Sequence, residues 1–169
     1  MKLNKEEIKH VEEFKKSWEG SPYPPIFVTA DTLVTCGGNI LVIRRGGILG
    51  KGLLALPGGF IEQGESILDG AIRELREETQ FIIEQAHLVR AFDKTAVFDE
   101  PCRDPRGRCI THVCHFVFSD LYFPMIETVV GSDDASEALW ITRDRFYNTF
   151  SENDFFLDHY RIIRHFLEK

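Results

Sequence analysis

The sequence predicts an α+β fold, on three observations. Apolar runs with strand character outnumber stripes with helical spacing, and the two kinds do not alternate regularly as repeated βα units would. At 169 residues the chain is long enough for one domain with a sizeable core. Its 43% hydrophobic and 12% aromatic content argues against disorder.

Residues 5–18 come first, with Ile8, Val11, Phe14 and Trp18 at helical spacing. Ser21-Pro22-Tyr23-Pro24-Pro25 breaks that pattern, so residues 1–25 read as a helical appendage with a stiff linker, ahead of a domain spanning 26–169. Strands are expected at 26–35 and 40–44, joined by the turn Gly37-Gly38-Asn39. Others are expected near Ala55 and at 88–98, 109–118 and 138–141. Phe156, Tyr160, Ile163 and Leu167 share a face of a further helix, expected over 154–167.

Between the strands near Ala55 and the one ending at Phe98 lies the segment that carries chemistry. Leu54-Ala55-Leu56 ends in Pro57-Gly58-Gly59, a turn whose backbone can pass close to a ligand. Ser66 can cap a helix whose apolar stripe is Ile67, Ala71, Ile72 and Leu75. Glu74, Glu77 and Glu78 then fall at i, i+3 and i+4 on one side of that helix, away from the stripe. Two such charges about 5 Å apart repel by roughly 3 kcal/mol at an effective dielectric of about 20. Arg73 and Arg76 offset part of this repulsion, and a shared divalent ion would offset more. Carboxylate oxygens without paired thiolates or imidazoles favour hard cations, Mg or Mn over Zn, and Mg commonly bridges carboxylates to substrate phosphates. A solvated acidic helix face is the plainer reading of the same residues.

The unit as a whole resembles the signature of the Nudix hydrolases: Gly, five residues, Glu, seven residues, then Arg-Glu-apolar-x-Glu-Glu-x-Gly-apolar. Gly59, Glu65, Arg73, Glu74, Leu75, Glu77, Glu78 and Phe81 occupy the matching places. Gln80 stands where the pattern has Gly, at the point where the helix should stop; a left-handed residue there costs about 1 kcal/mol if it is not Gly. The resemblance implies a mixed sheet sandwiched between helices and a metal-assisted attack of water on a nucleoside diphosphate derivative. It implies that Glu74 and Glu78 foremost, with Glu77 third and the carbonyl of Gly58 as a further ligand, hold Mg, with Mn as a substitute. It implies that Arg73 pairs with Glu65. A general base is expected in Asp133-Asp134-Ala135-Ser136-Glu137, with Glu137 or Asp134 the choice.

Tyr23 to Asp31 and Asp104-Pro105-Arg106-Gly107-Arg108 are similar to the ADP-ribose pyrophosphatase branch, and in particular to the Nudix half of bifunctional nicotinamide-mononucleotide adenylyltransferases. That similarity implies hydrolysis of ADP-ribose to AMP and ribose 5-phosphate. Other nucleoside diphosphate derivatives or triphosphates are the alternative substrates, and a non-catalytic ADP-ribose sensor is the alternative class. Nothing in the chain matches an adenylyltransferase, so it is expected to be a stand-alone enzyme or one domain of a longer protein. Arg106 and Arg108, presented by a Pro-Gly turn, are candidates to bind substrate phosphate or ribose, or else to pair with Asp104 or Asp99. Arg45, beside Arg44, and Lys51 in a glycine-rich loop are further candidates for the phosphates; Phe60 and Phe98 are candidates to stack a base.

Other functions are disfavoured. A net charge of −7 opposes nonspecific nucleic-acid binding. No apolar stretch reaches membrane-spanning length and the N-terminus has no signal core, so a cytoplasmic protein is expected; a homodimer stays open. Strand alternation sends His112 and Cys114 to one face and Cys109 and His115 to the other, against a zinc site. Gly46 to Gly52 is one residue short of a phosphate loop and has no Ser or Thr after the lysine, and Gly50 to Ala55 mimics a dinucleotide fingerprint but runs into Leu56-Pro57-Gly58-Gly59 instead of a helix.

Overall fold

The computed structural model describes residues 2–168; Met1 and Lys169, the outer ends of the two expected regions, lie outside the described residues. Strands β1 (Ile26–Cys36), β2 (Asn39–Arg45), β3 (Leu54–Ala55), β4 (Gly58–Phe60), β5 (Phe92–Phe98), β6 (Arg108–Phe118) and β7 (Ala135–Thr142) form one mixed sheet. Its order is β3-β2-β1-β6-β5, with β4 pairing β1 and β7 pairing β2. The pairing of β1 with β6 is parallel, from Ile26 opposite Arg108 to Cys36 opposite Phe118, and the others are antiparallel. Parallel partners need a long crossover, and the intervening chain carries the acidic helix.

Alternation along the central strands splits the core into two layers. Ala30, Val34, Cys114 and Phe116 face α2 (Ile67–Thr79) and α3 (Gln85–Ala91), where Ala71, Ile72, Leu75 and Leu88 meet them. Leu33, Val42 and Val113 face the other way, onto Phe146 of α5 (Arg143–Thr149) and Ile162, Ile163 and Phe166 of α6 (His159–Leu167). The sheet is thus covered by helices on both faces. Among the described residues no helix is long and apolar enough to cross a membrane.

The first helix, α1 (Lys5–Lys16), begins with a capping box in which the Asn4 side chain accepts from Glu7 N and Glu7 accepts from Asn4 N. It is seated on the body rather than held off it. Val11 is buried with Ile43, Leu49 and Phe156, and the other Glu7 oxygen accepts the Gly50 N–H at 2.9 Å.

Two expected elements are corrected. Residues 88–98 do not form one strand: α3 runs through Ala91 and β5 starts at Phe92, because Leu88 and Ala91, three residues apart, both bury against the first core layer. Residues 154–167 do not form one helix either. A 3₁₀ turn (Glu152–Asp154) precedes a break, and α6 starts at His159. The break arises because Phe155 bridges Leu54 and the Phe156 N–H donates to the Leu54 carbonyl at 2.7 Å, spending the backbone on the sheet. Helix α5 and a short α4 (Phe123–Ile126) were outside the sequence reading; Thr142 caps α5 by accepting from Arg145 N.

Candidate active site

Helix α2 and the turn before it set the first wall of the site. Ser66 caps α2 through Asp69 N, and the buried Ala71, Ile72 and Leu75 fix which side faces the sheet. Arg73 then gathers its neighbours. It donates to both oxygens of Glu65 (3.0 and 2.7 Å), to Glu74 and Glu77 (2.8 Å each) and to the Phe60 carbonyl (3.1 Å). The Glu65 hydrogen bonds hold that carboxyl down to about 2. This one guanidinium ties the loop after β4 to the helix.

Glu78 sits apart from that fan of bonds. It is only 2% exposed, and the Gly58 N–H donates to it at 2.8 Å. Burial pushes its carboxyl up to about 8, and neighbouring Glu74 adds to the rise. Burial also raises Glu74, against its hydrogen bond to Arg73. Glycines allow this crowding: a Cβ on Gly59 would lie 2.4 Å from a Glu74 oxygen, and one on Gly58 would lie 2.3 Å from an Asp31 oxygen.

These groups line a cavity of about 390 Å³. Asp31, from the middle of β1, is buried and accepts from the Thr111 hydroxyl. Cationic groups line the same cavity. Arg45 lies 4.1 Å over the Phe156 ring and donates to the Leu49 carbonyl, and burial lowers its pKa. Arg106 is held by Asp104 through 2.7 to 3.2 Å contacts and lies 4.8 Å over Phe60. Arg103 makes a bidentate pair with Asp158 at 3.0 and 2.7 Å. The cavity is therefore lined by several carboxylates and, with Arg73, by four guanidiniums. A diphosphate with a divalent ion is a ligand of that charge pattern.

Of the residues singled out from the sequence, Gly58, Arg73, Glu74, Glu78, Arg45 and Arg106 line this cavity, and Glu65 holds Arg73 from behind. Others are placed elsewhere. Glu77 turns to Arg73 and its side chain is 47% exposed. Glu137 pairs with Arg44 at 2.9 Å, whereas Asp134 lines the cavity. Lys51 lines a separate cavity, and Arg108 donates to the Asp99 carbonyl. Phe98 packs on Phe166, while Phe60 lines the site. Sequence reasoning missed Asp31, Arg103 and His159 as site residues. A charged residue inside the buried run Thr29-Ala30-Asp31-Thr32 was a usable signal for the first. Nothing local marks Arg103 or His159, whose Nδ1 accepts the Leu56 N–H.

The donor set fits a hard divalent cation. Glu74 and Glu78 would supply carboxylate oxygens, and burial raises the pKa of both, a shift that a bound cation would oppose. Among the described residues, no three Asp, Glu, His or Cys groups yet converge to enclose an ion. Arg73 takes up one oxygen each of Glu74 and Glu77.

Comparison with known proteins agrees with this geometry. The profile of the NUDIX domain matches residues 26–166. The ADP-ribose pyrophosphatase of Methanocaldococcus jannaschii is 32% identical over 144 residues, covering 83% of this chain and 72% of that protein. The crystal structure of a bifunctional NMN adenylyltransferase/ADP ribose pyrophosphatase of Francisella tularensis, complexed with AMP and a Mn ion, superposes with a TM-score of 0.86 at 39% identity. That match covers 96% of this chain, which spans 47% of the Francisella protein. The NUDIX domain of Shewanella oneidensis NrtR, crystallised with ADP ribose, shares the fold at a TM-score of 0.70 and 19% identity, over 93% of this chain and 96% of that one. With its acidic helix and arginine hub in place, and with Gly58 and Gly59 extended in β4 rather than in the expected turn, the chain belongs to the Nudix family and is a Nudix-type pyrophosphohydrolase.

Proposed function

We propose that the chain hydrolyses the diphosphate of ADP-ribose to AMP and ribose 5-phosphate. The observation that carries this reading is the mixed lining of one cavity of about 390 Å³, in which the carboxylates of Glu74, Glu78 and Asp31 occur together with the guanidiniums of Arg45, Arg103 and Arg106. A volume at the low end of the usual range of about 300–1,000 Å³ suits a small nucleotide derivative. The named activities of the Methanocaldococcus and Francisella relatives support the same substrate.

Each residue has a part in the reaction. Arg45 and Arg106 bind the diphosphate oxygens, and Asp104 presets the Arg106 fork. Phe60 lines the cavity with Arg106 over its ring and Phe14 stacked on it, so it offers the base an aromatic surface shared with those two side chains. Glu74 and Glu78 hold Mg, with Mn as a substitute, and Glu77 and the Gly58 carbonyl are the reserve ligands. Such an ion, when bound, spreads the charge developing on phosphoryl oxygens and lowers the pKa of a coordinated water. Asp134, at the cavity wall, accepts the proton of the attacking water in preference to Glu137, which Arg44 holds away. Water oxygen bonds to phosphorus as the bridging P–O bond breaks, and the two monophosphates leave.

The Francisella likeness also supports a place beside nicotinamide-mononucleotide adenylyltransferase activity, in a linked or a separate chain, and a cytoplasmic location belongs to the same proposal. The test is to incubate the protein with Mg or Mn and, separately, ADP-ribose, dATP, NAD and a nucleotide sugar, and to quantify products by chromatography. AMP and ribose 5-phosphate from ADP-ribose, formed faster than products of the others, are expected. Turnover of another substrate with ADP-ribose untouched would sink the reading.

A further inference from the structure

Three cavities meet at one residue. Leu157 lines the catalytic cavity, the cavity of about 410 Å³ that holds Lys51 and Arg161, and a third of about 410 Å³ that holds Glu100, Arg103 and Arg161. Its backbone is left-handed, at φ 48°. An L-residue with a bulky side chain adopts that conformation only when its surroundings dictate it.

Those surroundings are over-determined on both sides of Leu157. Phe155 bridges Leu54, and the Phe156 N–H donates to the Leu54 carbonyl at 2.7 Å. Phe156 also carries the Arg45 guanidinium at 4.1 Å. On the other side, Asp158 clamps Arg103 with two hydrogen bonds, and the buried His159 ring accepts the Leu56 N–H at 3.0 Å. Leu157 is thus held out of the ordinary backbone regions by neighbours that themselves build the catalytic wall. A glycine would relieve the strain but leave no side chain between the cavities.

We propose that Leu157 is a specificity-determining partition. Its side chain closes the catalytic cavity against the two adjoining ones and so excludes diphosphate substrates that carry a bulky group beyond the second sugar. This rests on the ADP-ribose reading above. NADH is the suited probe, because it adds to ADP-ribose only an uncharged dihydronicotinamide ring, which does not oppose Arg103 and Arg161.

The experiment compares wild type with Leu157→Gly and Leu157→Asn, using ADP-ribose and NADH. The preference between the two is read as a ratio of kcat/KM, and independently as a ratio of Kd by calorimetry without divalent metal. Leu157→Gly is expected to move both ratios about tenfold toward NADH, chiefly through the KM for NADH, the scale on which one pocket contact discriminates. Its Tm is expected to fall by no more than a few degrees, because relief of the left-handed backbone offsets part of the lost packing on the cluster of Val11, Ile43 and Phe156, and a cooperative transition separates lost selectivity from lost structure. Asn tolerates a left-handed backbone and keeps a side chain, so Leu157→Asn is expected to hold the wild-type ratios within about twofold. Unchanged ratios in Leu157→Gly, or equal changes in both variants, overturn the partition. A wild type that prefers NADH overturns the partition and the substrate reading together. A wild type that binds ADP-ribose more tightly than NADH without hydrolysing it overturns the substrate reading alone, and the binding ratio of Leu157→Gly then still decides the partition.

Discussion

The two walls of the catalytic cavity are assembled by different routes. The acidic wall formed by Glu74 and Glu78, which Asp31 joins from β1, comes from one stretch of chain, Gly58 to Glu78, in which a single hub, Arg73, bonds Glu65, Glu74, Glu77 and the Phe60 carbonyl. The cationic wall is drawn from β2 and the loop before β6; Arg103 is steadied by the distant Asp158 and Arg45 by the Phe156 ring, whereas Arg106 is held by Asp104 two residues away. The first wall is a local construction that needs little beyond helix geometry. The second exists only when the whole sheet has closed, so the chemistry is locally encoded and the fit to substrate is a tertiary property.

The sharpest way to break the acidic wall is Glu78→Gln. Activity is expected to fall about a thousandfold, equivalent to about 4 kcal/mol of transition-state stabilisation, as measured by AMP release with Mg. Stability is expected to move oppositely in the metal-free protein. The Glu78 carboxyl is raised from its ordinary 4.5 to about 8 by burial, so the unfolded chain releases this proton first. Stability linked to it is full below pH 4.5, is lost as pH rises toward 8, and is flat above. Glutamine removes that loss and is expected to stabilise the metal-free protein by about 2 kcal/mol at pH 8, well under the about 1.4 kcal/mol per pKa unit that a rigid site would give. Equal denaturation midpoints for the two proteins at pH 8 would show that Glu78 is not burdened by its charge.

Asp158→Asn tests the other wall. The substitution keeps shape but leaves Arg103, whose side chain is 4% exposed, facing a neutral amide where a carboxylate gave two hydrogen bonds. A loss of about 2 kcal/mol in urea denaturation is expected, with kcat/KM for ADP-ribose reduced about tenfold as Arg103 loosens. The comparison predicts that this variant loses stability and binding together, whereas Glu78→Gln separates them. Should Asp158→Asn leave both unaltered, the cationic wall does not depend on its distant partner.

The same contrast accounts for what could be read before folding. Ser66, the Ala71-Ile72-Leu75 stripe, the Arg73–Glu65 pair and the left-handed Gln80 all lie within one helix and its approach, where spacing alone fixes neighbours. Most strands were legible from β-branched and apolar runs, but β4 was not, since Gly58 and Gly59 signal a turn, and Leu88 to Ala91, read as strand, becomes helix because the core claims one face. Arg103, Asp158 and His159 were invisible as site residues because their roles depend on contacts 55 and 103 residues apart in sequence. Lys51 shows the converse: glycines around a lysine suggested phosphate binding, yet the Gly50 N–H goes to Glu7 of α1 and the lysine lies on another cavity.

Gln80→Gly gives the smallest expected effect and the finest edge to the comparison, since it alters the acidic helix without altering the acidic wall. Gln80 closes α2 at φ 51° and ψ 32°, with its N–H donating to the Arg76 carbonyl at 2.9 Å, and its side chain is exposed. A left-handed non-glycine residue costs about 1 kcal/mol, and glycine returns part of this through the greater freedom of the unfolded chain. The net gain is therefore about 0.5 kcal/mol, which for a domain of this size is a rise of about 1–2 °C in Tm by calorimetry. Glu78, two residues earlier, is held by Gly58 and by burial and not by the helix end, so kcat and KM for ADP-ribose are expected to remain at wild-type values. A fall in kcat without a fall in Tm would mean that the helix terminus positions Glu78 after all, and that the acidic wall is less self-contained than its hydrogen bonds indicate.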